Sequence, residues 1–105
     1  MVKSSSSSLP PYTLHFLQSA RKEWEKLDST IKRQFTKKLA ERLNEPRIAS
    51  AALFNMPDCY KIKLRKAGYR LVYRVEDNIV VVTVIAVGKR DRNEVYKEAM
   101  EHYQF

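Results

Sequence analysis

Cysteine, glycine and histidine are scarce in this sequence, which has one, two and two of them among 105 residues. A single cysteine cannot form an intrachain disulfide or a cysteine-based metal cluster, so a reducing compartment is expected. The sequence has no Gly-rich phosphate loop, no Gly-x-Ser-x-Gly motif and no His/Cys spacing typical of zinc sites. We therefore predict that the protein uses no metal and no other cofactor.

Long apolar runs are also missing. The longest, residues 79–87, has nine residues and includes Thr83, whereas a membrane-spanning helix needs about 20. The N-terminus has one lysine followed by serines and lacks the apolar core of a signal peptide. A membrane is therefore not among the predicted partners, and the predicted location is the cytoplasm.

Acidic residues are few relative to basic ones. The chain carries 20 Lys/Arg against 12 Asp/Glu, a net charge of +8 and a pI of about 9.7. Such a balance favours nucleic acid or another anionic partner. The positive charge is concentrated, because residues 59–75 contain six Lys/Arg and no acid.

Residues 60–74 alternate apolar and basic side chains on both sides of Ala67-Gly68, which predicts a β-hairpin. With Ala67-Gly68 as a two-residue loop, Arg65 would face Arg70. One face of the hairpin would be apolar, with Ile62, Leu64, Leu71 and Tyr73. The other would be cationic around Val72, with Lys61, Lys63, Arg65, Arg70 and Arg74. Opposed cations destabilise a sheet, so this face is predicted to bind a polyanion.

The rest of the chain predicts a single α+β domain at residues 12–105, after a disordered Ser/Pro-rich lead at 1–11. A first strand at 12–17 is followed by two helices, with Ser19 and Asp28 as N-caps. Further strands are predicted at 59–65, 69–76 and 79–87, and a last helix at 93–103. The expected architecture is a mainly antiparallel four-stranded sheet with the two N-terminal helices packed on one face.

The side chains that usually carry catalysis have simpler interpretations here. His15 and His102 are interpreted as structural or surface histidines, Cys59 as a small buried hydrophobe, and Asp58 as a turn residue. What remains is the cationic hairpin, the basic loop at residues 88–92, and Tyr96 about one helical turn later. Guanidinium groups bind phosphates bidentately and tyrosines stack on unpaired bases, so this combination is typical of an RNA site.

Three segments carry a family resemblance: Pro-Asp-Cys-Tyr-Lys-Ile-Lys-Leu-Arg at 57–65, Gly-Tyr-Arg-Leu-Val-Tyr at 68–73, and Val-Gly-Lys-Arg-Asp-Arg at 87–92, followed by Glu-Val-Tyr at 94–96. Together they resemble the RelE toxins of bacterial toxin–antitoxin systems, in the RelE/ParE superfamily. The likeness extends over residues 12–100 and implies the microbial-RNase-like RelE fold. Phe54-Asn55 stands where the family often has a basic residue and glycine.

The resemblance implies a ribosome-dependent endoribonuclease that cleaves mRNA in the ribosomal A site. The implied catalytic residues are Lys61, Lys63, Arg70, Arg90 and Tyr96. We assign RNA or ribosome binding to the remaining cations of the hairpin and the basic loop: Arg65, Lys66, Arg74, Lys89 and Arg92. The implied partners are a RelB-type antitoxin, the rRNA of the small ribosomal subunit at the A site, and mRNA.

The implied reaction is attack of the ribose 2′-hydroxyl on the adjacent phosphate. Neighbouring cations lower the pKa of a lysine, which makes Lys63 the candidate base. Two alternatives remain open at this point. One is a ribosome-independent RNase of the same fold, and the other is a ParE-like toxin that binds its target, gyrase, without catalysis.

Overall fold

Four strands and two helices make up the fold in the computed structural model, which describes residues 10–89 together with Tyr96, Ala99 and Met100. In chain order the elements are β1 (Thr13–Phe16), α1 (Gln18–Glu25), α2 (Ser29–Asn44), a 3₁₀ turn (Ala49–Ala51), β2 (Cys59–Leu64), β3 (Tyr69–Glu76) and β4 (Val81–Lys89). The predicted α+β class is confirmed. The predicted lead at 1–11 lies outside the described residues except for Pro10 and Pro11.

The sheet has the strand order β1-β4-β3-β2. β2 and β3, like β3 and β4, pair antiparallel, but β1 pairs parallel with β4. The sheet is therefore mixed. A parallel pair needs a long crossover, and the whole chain between β1 and β4 supplies it. The predicted C-terminal helix at 93–103 is not shown, because only Tyr96, Ala99 and Met100 of that segment lie among the described residues.

The hairpin of β2 and β3 has the predicted faces but not the predicted register. Lys63 pairs with Arg70 and Leu64 pairs with Tyr69, so the loop has the four residues 65–68 instead of two. Gly68 closes it with a φ of 74° and an N–H that donates to the Leu64 carbonyl at 2.8 Å. The register differs by two residues, an even number, so every side chain keeps its face.

The two helices begin differently from one another. The Asp28 carboxylate accepts a hydrogen bond from the Ile31 N–H at 2.9 Å and caps α2, as predicted. Ser19 does not cap α1, because the helix already begins at Gln18 after Leu17. Neither helix, within the part of the chain described, is long and apolar enough to cross a bilayer.

β4 lies in the interior of the sheet between β1 and β3, and it runs two residues later than predicted. Ile79 and Val80 belong to the turn after Asp77 and are exposed, with Val80 at a φ of 56°. The pairing with β3 shifts between Val72↔Ala86 and Tyr73↔Val84, which leaves Ile85 as the extra residue of a bulge. Ile85 and Ala86 therefore face the same side of the sheet.

Each face of the sheet carries its own apolar cluster. The helix-side cluster joins Phe35 and Leu39 of α2 to Ile62, Leu71 and Tyr73 of the hairpin. The second cluster lies on the opposite face. It consists of Met56, Cys59, Val72, Ile85, Ala86 and Ala99, with Leu17, Leu53, Tyr96 and Met100 packed against it. The cationic face of the hairpin is therefore only partly open, since apolar residues cover its central part.

Tyr73 connects the sheet to the end of α2. Its buried hydroxyl donates to the Pro46 carbonyl at 2.7 Å and accepts from Arg42 Nη1 at 2.8 Å. We predict that Tyr73→Phe lowers the free energy of unfolding by about 1–3 kcal/mol, because the buried Pro46 carbonyl loses its donor and the half-buried Arg42 guanidinium loses one of its acceptors. Urea denaturation measures this loss. The matched control is Tyr69→Phe, whose hydroxyl makes no hydrogen bond within the described residues; an equal loss there would contradict the assignment.

Asp77 joins the β3–β4 turn to the chain after α2. Its carboxylate accepts from the Tyr12 hydroxyl at 2.6 Å and from Arg47 Nε at 3.0 Å. The Tyr12 hydrogen bond, with that of Arg47, lowers the pKa of Asp77 below its ordinary value of 3.8. A carboxylate whose pKa is lowered by folding stabilises the fold above that ordinary value, and the contribution is lost at lower pH.

We therefore predict that Asp77→Asn lowers the Tm at pH 7, and that the difference from the parent protein shrinks as the pH falls below 3.8. Thermal unfolding followed by circular dichroism across this range tests the expectation. Glu45→Gln is the control, because Glu45 forms no ion pair within the described part of the chain. A Tm difference independent of pH would show that the charge of Asp77 is not the cause.

Candidate functional site

Four cations of the predicted set project from the sheet face opposite the helices. Lys61 and Lys63 of β2, and Arg70 and Arg74 of β3, alternate with residues of the helix-side cluster. All four are half-buried, so their aliphatic parts lie along the sheet while the charged ends reach the surface. We call these four residues the cationic track.

The strand register places Lys63 directly opposite Arg70. Beside this pair lies a pocket of about 160 Å³, lined by Lys63, Leu64, Arg65, Tyr69 and Arg70. Small-molecule sites have volumes of about 300–1,000 Å³, so this pocket is a notch for one small group. Three cations in its lining make an anion such as a phosphate the matching occupant.

Arg70 also contacts Tyr96, 26 positions away in the sequence. Its Nη1 donates to the Tyr96 hydroxyl at 2.9 Å, and its guanidinium carbon lies 5.2 Å from the centroid of the ring. The structure thus joins two predicted site residues. Nε of Arg70 and Nε of Arg74 are both buried and have no hydrogen-bond partner within the described residues, so a phosphate at the surface would be held by the terminal Nη groups.

Arg74 lies at the other end of the cationic track. It pairs with Cys59 across the strands, and its Nη2 is 3.6 Å from a carboxylate oxygen of Glu76. Part of its charge is therefore balanced within β3, unlike that of Arg70, whose contact in the described structure is the neutral Tyr96. The Arg70 end of the track is the more suitable for a phosphate.

The other predicted cations lie near the notch or outside the described residues. Arg65 and Lys66 are exposed in the hairpin loop, and Lys89 is exposed at the end of β4, where it pairs with Tyr69. The hairpin loop and the end of β4 thus lie at the same end of the sheet. Arg90 and Arg92 lie outside the described residues. Of the cations in the basic loop, the structure therefore places Lys89 near the track and does not test the other two.

Arg42 is a contributing residue that the sequence reasoning missed. From the inner side of α2, its Nη1 donates to the Lys61 carbonyl at 3.2 Å, and its guanidinium carbon lies 5.7 Å from the centre of the Tyr73 ring. It therefore holds the backbone of β2 at one of the predicted catalytic residues. The available signal was an arginine on the same α2 turn as the apolar Leu39 and Leu43.

Arg47 was also missed, and it holds the segment that leads into β2. Its Nη1 lies 2.9 Å from a carboxylate oxygen of Asp58 and donates to the Tyr60 hydroxyl at 3.2 Å, while Nη2 binds Asp77 at 2.8 Å. The hydrogen bonds to Asp77 and Tyr60 raise the pKa of Arg47 further above its ordinary value. Asp58 adopts a φ of 68°, a conformation that aspartate tolerates in turns.

Cys59 and His15, for which the sequence predicts no catalytic role, lie deep in the fold and away from the notch, respectively. Burial raises the pKa of the Cys59 thiol to about 11, so almost none of it is thiolate at neutral pH. His15 is exposed on β1, on the strand farthest from β2, and His102 lies outside the described residues. The described part of the chain contains no cluster of His, Cys, Asp or Glu able to hold a metal ion.

Comparison with known proteins gives a consistent result. The model of the ParE toxin family, described as the ParE toxin of the type II toxin–antitoxin system parDE, matches residues 14–94. The mRNA interferase toxin RelE of Escherichia coli (strain K12) is 60% identical over 90 residues, 86% of this chain and 95% of that protein. The mRNA interferase RelE of Shigella flexneri matches equally well, with the same coverage. The chain belongs to the RelE toxins of the RelE/ParE superfamily.

Solved RelE structures agree with the fold. The free form of an E. coli RelE variant with two arginine-to-alanine changes superposes with a TM-score of 0.81 at 57% identity, covering 87% of this chain and 96% of that one. RelE in the intact E. coli RelBE toxin–antitoxin complex gives a TM-score of 0.74 at 59% identity, covering 77% and 99% of the two chains. The RelE fold implied by the resemblance is thereby confirmed for the four-stranded sheet and the two helices of the described residues.

The buried state of Cys59 has a measurable consequence. We predict that the thiol of the native protein is alkylated by iodoacetamide at pH 8 at least about 100-fold more slowly than in urea, because burial raises its pKa to about 11 and also shields the sulfur from the reagent. Mass spectrometry of timed aliquots gives both rates. Similar rates in the two conditions would show that the second apolar cluster does not enclose Cys59.

Proposed function

We propose that this protein is the toxin of a type II toxin–antitoxin system and an mRNA interferase that cleaves mRNA in the ribosomal A site. The observation that carries the proposal is the 60% identity to mRNA interferase RelE over 95% of that protein. The notch supports it independently, because three cations and a tyrosine line a space suited to one phosphate of an RNA strand.

The proposed reaction forms a bond between the ribose 2′-oxygen and the adjacent phosphorus and breaks the bond to the 5′-oxygen. The products are a 2′,3′-cyclic phosphate and a 5′-hydroxyl. The proton of the 2′-hydroxyl goes to a base, for which we propose Lys63 in its uncharged form, and the departing 5′-oxygen takes a proton from water. Lys63 carries its positive charge once it has accepted the proton. Lys61, Lys63 and Arg70 would stabilise the negative charge of the phosphorane.

We propose different roles for the two remaining catalytic candidates. Arg90 would stabilise the leaving oxygen electrostatically, because an arginine hardly releases a proton. Tyr96 would stack on or orient a base of the codon. Its contact with Arg70 supports this role, since a base on the Tyr96 ring would place its own phosphate near the Arg70 guanidinium. Arg65, Lys66, Arg74, Lys89 and Arg92 would bind RNA backbone of the mRNA or the ribosome.

The shallow site also explains why a ribosome would be needed. In-line attack requires the 2′-oxygen, phosphorus and leaving oxygen to be held in one line, and a notch of about 160 Å³ contacts only a small part of a nucleotide. Backbone contacts by cations supply affinity without position. A ribosome that presents the codon in a fixed geometry can lower the activation barrier by about 7–11 kcal/mol.

The same reasoning extends to the proposed partner and location. Solved relatives include E. coli RelE with its antitoxin RelB and with a RelB peptide. A chain of net charge +8 with a cationic track is suited to a partly acidic antitoxin of the RelB type. An enzyme that acts on translating ribosomes works in the bacterial cytoplasm. We propose residues 12–105 as the toxin domain and 1–11 as a lead outside it.

The family model provides the main rival proposal, because its description is that of a ParE toxin. A ParE-like function would be target binding, with gyrase as the target, and no RNA cleavage. A gyrase supercoiling assay with the purified protein separates the two. Inhibition of supercoiling without cleavage of mRNA on ribosomes would favour the ParE-like function.

We predict that Lys63→Ala lowers the single-turnover rate of mRNA cleavage on programmed ribosomes by about 100- to 1,000-fold, the loss typical of removing one transition-state stabiliser. Arg90→Ala should abolish growth inhibition while leaving the fold intact. The control is Lys37→Ala/Lys38→Ala, which removes two exposed cations from α2, on the other side of the sheet. If Lys63→Ala cleaves mRNA at the wild-type rate, the cationic track is not part of the active site.

Cleavage of the same mRNA without ribosomes tests the remaining alternative, a ribosome-independent RNase. At matched salt and saturating protein, we expect cleavage on ribosomes and little on free mRNA, although free RNA should bind in a salt-dependent manner. Comparable rates in the two settings would instead identify a ribosome-independent RNase of the same fold.

A further inference from the structure

Phe54 is the most exposed of the large apolar side chains in the described structure. It is 99% exposed, compared with 58% for Ile79 and 39% for Val80. Removing the surface of a phenylalanine ring from water is favourable. In this structure the Phe54 ring stays in water, although Leu53 and Met56 on either side of it pack into the second apolar cluster.

The segment that carries Phe54 is held on both sides. The Leu53 N–H donates to the Cys59 carbonyl at 3.0 Å, the Met56 N–H donates to the Leu53 carbonyl at 3.4 Å, and the Cys59 N–H donates to the Met56 carbonyl at 3.1 Å. Leu53 and Met56 pack into the second cluster. The turn therefore directs its neighbours inward and presents the Phe54 ring to solvent.

This turn borders the cationic track. Met56 and Cys59 share the second cluster with Val72, which lies on the same sheet face as Lys61 and pairs with it across the strands. Cys59 pairs with Arg74, and four residues further along β2 Lys63 borders the notch. At about 3.3 Å per residue, that separation is about 13 Å. The track therefore runs from the notch at one end to the Phe54 turn at the other.

An aromatic ring at the end of a row of cations is typical of surfaces that bind single-stranded RNA. The cations hold the backbone, and a base stacks on the ring whatever its identity. A protein partner would instead need a contiguous apolar patch. Around Phe54 the exposed apolar surface is small and interrupted. Ala52 and Pro57 are exposed, but the exposed polar Asn55 and Asp58 lie among them, and Leu53 and Met56 pack into the second cluster.

We propose that Phe54 is a stacking platform for one unpaired base of the mRNA strand, on the side of the track away from the notch. This inference rests on the proposed RNA function and deepens it. One nucleotide of the strand would have its phosphate in the notch, the following backbone would lie along the track, and a later base would cover the Phe54 ring. The platform would contribute affinity without sequence preference.

The test measures equilibrium binding of the full chain to a fluorescein-labelled single-stranded RNA at fixed salt, with no ribosome and no cleavage readout. Phe54→Leu keeps an apolar side chain but removes the ring, and should raise the Kd about 5- to 100-fold, the loss that corresponds to one base stack. Phe54→Tyr should bind as the parent protein does. Ile79→Ala, which alters the next most exposed apolar side chain, should leave the Kd unchanged.

A second arm removes the base instead of the ring. A series of RNAs is used, each with an abasic site at a different position. At one of these positions the Kd of the parent protein should rise by the same factor as the Phe54→Leu change causes. Phe54→Leu should lose nothing further at that position. An unchanged Kd for Phe54→Leu, or a loss that no abasic position reproduces, would overturn the proposal.

Two further outcomes would assign the ring elsewhere. If Phe54→Leu binds free RNA normally and loses only a chemical footprint on rRNA, the platform does not serve mRNA. If it loses only affinity for an antitoxin, the ring is a protein contact. Both reject the proposal as stated. If the parent protein does not cleave mRNA on ribosomes, the proposed function is rejected, whereas the RNA-binding measurements still decide whether Phe54 stacks on a base.

Discussion

The direct opposition of Lys63 and Arg70 across β2 and β3 is the feature on which the rest of the site depends. Two like charges placed opposite each other destabilise an antiparallel pair, so the register has to be held by other contacts. The apolar face beneath them supplies these contacts, since Ile62, Leu71 and Tyr73 are almost fully buried against the helices. In the proposed function, an anion bound beside this pair would offset part of that cost.

The second apolar cluster determines how much of the cationic face is available. The bulge at Ile85 turns two consecutive residues of β4 toward this face, where they meet Val72, Cys59 and Ala99. The central part of the face is therefore apolar, and the cations are left along its border. Tyr96 packs against the same cluster and contacts Arg70, so the packing that covers the sheet also positions an aromatic ring at the notch.

Particular residues show how far the sequence could predict this arrangement. The alternation in residues 60–74 predicted which side chains share a face, and the structure confirms each face on the strands. It did not determine the loop length, because loops of two and four residues both preserve the alternation. Arg65 was consequently placed on the strand, whereas it lies in the loop beside the notch. The extended apolar pattern also placed Ile79 and Val80 in β4, although they form the preceding turn.

The sequence by itself determined the α+β class, the cationic and apolar faces of the hairpin, the Asp28 cap and, through three local segments, the family. These features depend on neighbours in the chain or on a period of two. The tertiary structure decided the parallel pairing of β1, the bulge at Ile85, the contact of Arg70 with Tyr96, the contacts of Arg42 and Arg47, and the exposure of Phe54. The exposure of Phe54 depends partly on hydrogen bonds within residues 53–59. The other features depend on residues far apart in the chain that meet only when the sheet and helices pack, and no local pattern encodes such a distance.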